Sequence, residues 1–170
     1  LEAAALPGLE VPARSALNGI RALAGKLRRD ESETGPLSLA EIEQVCQRAR
    51  RLGIPIREHV EHRALMLDLG AEVVDGVLSV IVESLTNVMR HAPHAGLVDV
   101  SVSVIDGELV TVIADDATAS EMSQPEPGIG LLGLAERVVE LGGSFGAARA
   151  GTEGWRVEAR IPIEHEAKSA

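Results

Sequence analysis

Aromatic residues are nearly absent from this chain of 170, which has one Phe, one Trp and no Tyr. Nucleic-acid readers that stack bases depend on several aromatic faces, so that class is disfavoured. Basic residues are also in deficit. Sixteen Lys and Arg against 26 Asp and Glu leave a net charge of −10, which repels a phosphate backbone and argues against a nucleic-acid partner. The basic clusters Lys26-Arg28-Arg29 and Arg48-Arg50-Arg51 read as solvated helix faces. Cys46 is the single cysteine, which rules out an internal disulfide or a cysteine metal site and fits a reducing cytoplasm. Its helical surroundings predict a buried, inert thiol. No apolar run approaches the ~18 residues of a membrane helix, and the start lacks the layout of a signal peptide. Leu1 opens the chain and the first Met is Met66, so the sequence reads as a segment of a longer polypeptide.

What is present is a globular composition, 45% hydrophobic and 25% charged, at a one-domain length. Residues 1–37 read as an N-terminal helix and linker: Leu17, Ile20, Leu23, Ala24 and Leu27 keep helical spacing, and a polar loop runs from Asp30 to Pro36. Residues 38–165 read as the folded domain and 166–170 as a tail. Ser38 and Glu41 form the S-x-x-E capping box of a helix that ends near Gly53. Residues 54–68 predict a strand or a hairpin pair. The strongest helix spans 71–92, where Leu78, Ile81, Val82, Leu85, Val88 and Met89 make one apolar stripe. Residues 97–105 and 108–114 alternate around the turn dipeptide Asp106-Gly107. After a loop containing Pro125 and Pro127, a helix over 131–141 stops at Gly142-Gly143, and strands near 144–149 and 155–162 close the domain. Helices alternating with hairpins predict a two-layer α/β sandwich, a mixed sheet with helices on one face.

Three features carry polar chemistry. On the long helix Glu83, Asn87, Arg90 and His91 share a side opposite the apolar stripe. That side is either a half-exposed surface or a pocket wall. In a pocket, an Asn oxygen suits Mg²⁺ and an Arg suits phosphate. Asp115-Asp116 ends an apolar strand, either as a turn former or as an acceptor for the amino group of a base. Gly128-Ile129-Gly130-Leu131-Leu132-Gly133 opens a helix. It matches G-x-G-x-x-G literally, but a polar loop precedes it where a dinucleotide fingerprint needs a buried strand. What survives is a turn whose backbone N–H groups can approach phosphate oxygens, or a purely structural turn.

In this order the features resemble the ATP-binding domain of sensor histidine kinases, in the GHKL (Bergerat) superfamily. The closer likeness is to the nitrate/nitrite-sensor-like subgroup with short ATP lids. Glu83-Ser84-Leu85-Thr86-Asn87-Val88-Met89-Arg90-His91-Ala92 resembles the family's asparagine box. Gly128 to Gly133, continuing into Glu136-Arg137 and Leu141-Gly142-Gly143, resembles its second glycine box and following helix. Gly154-Trp155-Arg156-Val157 through Ile161-Pro162-Ile163 resembles its last strand, and the likeness covers about residues 38 to 163. The resemblance implies ATP and Mg²⁺ as ligands, with Asn87 on the metal and Asp115 on the adenine amino group. Arg90 and His91 would lie along the phosphates, with Gly128, Gly130, Leu131 and Gly133 closing over them. Glu83 would be the acidic group near the γ-phosphate, a catalytic base or water-positioning residue. The implied partners are the protein's own dimerisation domain, which carries the phosphoacceptor histidine, and a response regulator. A cytoplasmic homodimer in the full-length protein is also implied, and residues 11–29 resemble the end of a dimerisation helix.

The sequence departs from the pattern at two places. The first glycine box, D-x-G-x-G, reads Asp115-Asp116-Ala117-Thr118-Ala119, and the usual Gly-Thr of the last strand is Gly154-Trp155. Alanine costs on the order of 1 kcal/mol wherever glycine's positive φ is needed. A degenerate kinase-like domain with weak or no nucleotide binding, acting through protein contacts, is therefore one alternative. An anti-sigma-factor-type serine kinase on the same fold is another.

Overall fold

The computed structural model describes residues 38–118, 129–150 and 153–163. The predicted helix over 11–29 and the tail lie outside them. The elements run α1 (Glu41–Arg51), β1 (Ile56–Val60), α2 (His62–Leu65), α3 (Ala71–His91), β2 (Val98–Ile105), β3 (Glu108–Thr118), α4 (Ile129–Glu140), β4 (Ser144–Arg149) and β5 (Glu153–Pro162). The strands form one five-stranded sheet in the order β1-β2-β3-β5-β4. β1 pairs with β2 in parallel and the other pairs are antiparallel, so the sheet is mixed, as the sequence predicts.

Strand alternation decides which face is covered. Val98, Val100 and Val102 of β2 are buried, as are Leu109 and Ile113 of β3 and Val157, Ala159 and Ile161 of β5. Against this face α3 lays Val74, Val77, Val80, Ile81 and Leu85, all buried. Burying side chains of this size stabilises by roughly 1.5–3 kcal/mol each. The other face carries ion pairs instead. Arg57 meets Asp99, and Arg156 and Arg160 share Glu158. Pairs this exposed contribute little, typically below about 1 kcal/mol.

The local signals act as expected at several points. Asp106 and Gly107 both take positive φ, 51° and 81°, the geometry of a tight two-residue hairpin turn. Half of the predicted capping box forms at α1. The Ser38 N–H donates to Glu41 Oε1 at 3.1 Å, while the Ser38 hydroxyl accepts from Ala40 N–H rather than from Glu41. Cys46 is buried, and burial first, then the nearby Glu58 carboxylate, pushes its thiol up to about 12. Arg50 projects from α1 to Glu58 at 3.1 Å and to the Ile56 carbonyl at 3.2 Å, on the side of β1 away from β2.

Two boundaries differ from the sequence expectation. Only residues 56–60 of the 54–68 segment form a strand, and His62–Leu65 turn into a short helix. The Glu61 carboxylate takes the Val104 N–H at 2.8 Å, so the position after β1 is paired by a side chain rather than by a second hairpin strand. β3 also continues past Ala114 to Thr118, which moves Asp115 from the end of the strand into it.

α4 stops where the glycines predict. Gly142 has φ 75°, its N–H donates to the Val139 carbonyl at 2.9 Å, and the Gly143 N–H donates to the Val138 carbonyl at 2.9 Å. This is a Schellman closure. A Cβ at Gly143 would fall onto the Arg160 carbonyl oxygen of β5, whereas one at Gly146 meets nothing within 4 Å. Gly143→Ala is therefore expected to lose about 1–3 kcal/mol in urea denaturation. Gly146→Ala should stay within about 0.5 kcal/mol of the parent. Equal losses in the two variants would contradict this packing.

Candidate functional site

α3 positions most of the predicted side chains. Its apolar side is committed to the sheet, which leaves Glu83, Asn87 and His91 half-buried and Arg90 exposed. Thr86, between them, turns its hydroxyl back to the Val82 carbonyl at 2.7 Å and stays within the helix. The helix ends at His91, and residues 92–97 lead directly into β2, whose first residue pairs with Asp115. The last turn of α3 and Asp115 therefore occupy the same end of the domain.

The start of α4 meets the polar side of α3. A Cβ built at Gly130 would collide with the Glu83 carboxylate, so bare backbone lies directly against that side chain. Leu131 is half-buried and packs on the core. Gly133 is exposed with open space around it. Gly128 lies outside the described residues. The helix is locked to α3 further along by an ion pair between Arg137 and Asp75. The Glu136-Arg137 dipeptide shows the arginine in the sequence, but nothing there marks Asp75 as its partner.

The two neighbouring aspartates divide into different roles. Asp116 Oδ1 accepts the N–H groups of Gly96 and Leu97 at 2.7 and 2.9 Å, tying the α3–β2 connection to β3. It is a brace, and the sequence does not separate it from its neighbour. Asp115 is only 9% exposed and faces the helix-covered side. Its Oδ1 accepts the Ala117 N–H at 3.1 Å. Burial raises its carboxyl above the usual range, and Asp116 adds to this. The backbone N–H groups of Ala117 and Trp155 act in the opposite direction.

Ala117, one of the two alanines in the altered glycine box, is 1% exposed within β3. Among the described non-glycine residues only Asp106 has positive φ, so Ala117 carries no left-handed strain. Ala119 lies outside the described residues. The residue that does need glycine is Gly154. Its φ is 85°, and a Cβ there would land on the Asp115 carbonyl oxygen. That contact presses β5 against β3 where the ladder shifts register between Asp115 and Thr118.

As for metal, the described residues contain no cluster of three or more His, Cys, Asp or Glu. On the half-buried polar side of α3, Asn87 and Glu83 carry hard oxygens. Such a sparse set fits Mg²⁺, which keeps waters and fills its shell with phosphate oxygens.

A carboxyl whose pKa is raised by folding favours the folded state while protonated. That contribution fades as pH rises through the folded-state value and leaves a buried charge at neutral pH. Asp115→Asn keeps an oxygen for the Ala117 N–H and removes the charge. It is expected to raise the denaturation midpoint at neutral pH, with the gain shrinking as the solution is acidified into the carboxylate range. A variant less stable than the parent at both pH values would show that Asp115 is stabilising as a charge.

No protein-family profile and no curated protein sequence matches the chain. Solved structures do. The histidine kinase domain of the blue-light activated histidine kinase EL346 from Erythrobacter litoralis aligns with a TM-score of 0.61 at 19% identity, over 89% of this chain and 75% of that one. A longer structure of that kinase aligns with a TM-score of 0.60 at 20% identity, and there the match spans 54% of its length. The Acinetobacter baumannii histidine kinase AdeS aligns with a TM-score of 0.56 at 18% identity, over 94% of this chain and 88% of that one. At these identities the likeness establishes the fold, which is that of histidine kinase domains.

Proposed function

We propose that this chain is the ATP-binding catalytic domain of a two-component sensor histidine kinase of the GHKL type. In this reading it positions Mg·ATP so that the γ-phosphoryl passes to a histidine on the protein's own dimerisation domain, and from there to a response regulator. The observation that carries the reading is the contact between Gly130 and Glu83. It brings the second glycine box, helical from Ile129 onward, onto the asparagine-box side of α3. Asp115 stands at the same end of the sheet.

Each residue has a distinct task. Asp115 accepts a hydrogen bond from the exocyclic amino group of the base, the one charged hold among apolar side chains. Asn87 supplies a carboxamide oxygen to Mg²⁺, whose charge offsets that of the phosphates. Arg90 and His91 line the phosphate chain, and the amides at the start of α4, where the helix dipole favours anions, close over it. Glu83 orients the incoming nucleophile or takes its proton. Phosphoryl transfer asks little covalent chemistry of a protein, so positioning and charge supply most of the rate. The subgroup assignment, nitrate/nitrite-sensor-like, rests on the wording of the two boxes. No described helix is long and apolar enough to cross a membrane.

A second reading, a kinase-like module that has lost its ligand, is favoured by the half-buried indole of Trp155 on the strand next to Asp115. Calorimetry separates the two. The kinase reading expects one Mg·ATP site per chain, and a loss of roughly tenfold or more in affinity for Asn87→Ala, the scale of a lost hydrogen bond or ligand to a charged group. No heat of binding at millimolar nucleotide would leave the degenerate reading standing, and an unaffected Asn87→Ala would remove Asn87 from the metal site.

A further inference from the structure

One row of residues crosses the sheet at the end that holds the site: Val98, Asp115, Trp155 and Arg149, each directly opposite the next. Directly opposed residues project from the same face, with Cβ atoms about 4.5–5.5 Å apart. Asp115 faces the helix-covered side, so the Trp155 side chain rises from that side next to the carboxylate. The indole is half-buried and packs on the core. Across the carboxylate stands Val98, fully buried, and along β3 on the same side stands Ala117, 1% exposed. The Asp115 carboxylate thus sits in a corner with Val98, Ala117 and Trp155 as its sides. The backbone that carries Trp155 cannot easily retreat, because Gly154 holds β5 against the Asp115 carbonyl with no room even for a methyl group.

We propose that Trp155 is a selectivity wall of the base site, restricting the ligand at Asp115 to a nucleotide whose base carries an unsubstituted exocyclic amino group. This rests on the nucleotide reading above and concerns only what the site admits. An amino nitrogen hydrogen-bonded to Asp115 carries a second substituent into the same corner. A hydrogen fits there, whereas a carbon group must overlap one of the walls, and Trp155 supplies the largest. Overpacking of this kind is costly, and removing the indole relieves it.

The test compares Mg·ATP with Mg·N6-benzyl-ATP on the parent chain, on Trp155→Ala and on Trp155→Leu, with affinities from calorimetry and folding checked by circular dichroism. The leucine variant keeps apolar cover should the alanine variant fail to fold. The parent is expected to prefer ATP by at least about tenfold. The folded variants should reduce that preference to about threefold or less, chiefly by gaining affinity for the benzyl analogue. A parent that binds both nucleotides alike overturns the inference while leaving the nucleotide reading intact. So does a variant that keeps the full preference, which would assign the wall to Val98 and Ala117. A parent that binds neither nucleotide overturns both.

Discussion

The bare backbone at Gly130 against the Glu83 carboxylate is the contact that joins the two halves of the proposed nucleotide site. α3 is committed on one side to the sheet through a continuous apolar stripe. Whatever it offers a ligand must come from the other side, and α4 must start close enough to close that side off. A side chain at position 130 would strike the Glu83 carboxylate, which would have to swing away from the start of α4. With no side chain at 130, the backbone of α4 lies directly against the Glu83 side chain of α3.

Several further contacts hold α4 in place beside α3. The Arg137–Asp75 pair joins α4 to α3 with Asp75 largely sheltered, and the Schellman closure at Gly142 and Gly143 returns the chain onto β5 within van der Waals reach. Leu134 and Val138 bury the inner side of α4. At the other edge of the site, Asp116 holds the connection that follows α3 through two backbone N–H groups. The charged ladder on the open sheet face is solvated and adds little by comparison. The cost of the arrangement falls on Asp115, whose carboxyl is pushed above its ordinary value by burial. Such a conflict between local stability and chemistry is expected at a functional position.

Much of this was legible in the sequence because the signals are local. The 3.6-residue stripe of α3, the alternation on either side of Asp106-Gly107 and the paired glycines after α4 each specify a conformation from within a few residues. What was not legible depends on distant partners. Residues 61–65, read as part of a strand or hairpin pair, instead turn into a helix after Glu61, whose carboxylate reaches across to Val104. Asp115 and Asp116 look alike until the Gly96–Leu97 backbone claims one of them. The extension of β3 through a polar Asp-Asp-Ala-Thr stretch contradicts its composition, and it follows from Gly154, which lets β5 press against it. The alanine at 117, read as a source of strain if the position needed glycine, is accommodated as an ordinary buried strand residue.

The near-absence of aromatics acquires a positive meaning from this geometry. In the proposed reading, a base held at Asp115 meets one carboxylate, aliphatic side chains and a single aromatic wall, Trp155, where the chain departs from the kinase pattern. The central claim is that the polar side of α3 and the carboxylate of β3 serve one nucleotide. A crystal structure of the chain with Mg·ADP tests it most directly. The account predicts the base amino group within hydrogen-bonding distance of Asp115 and the diphosphate between Asn87 and the first amides of α4. A nucleotide bound with its base away from Asp115, or its phosphates away from Asn87, would contradict it.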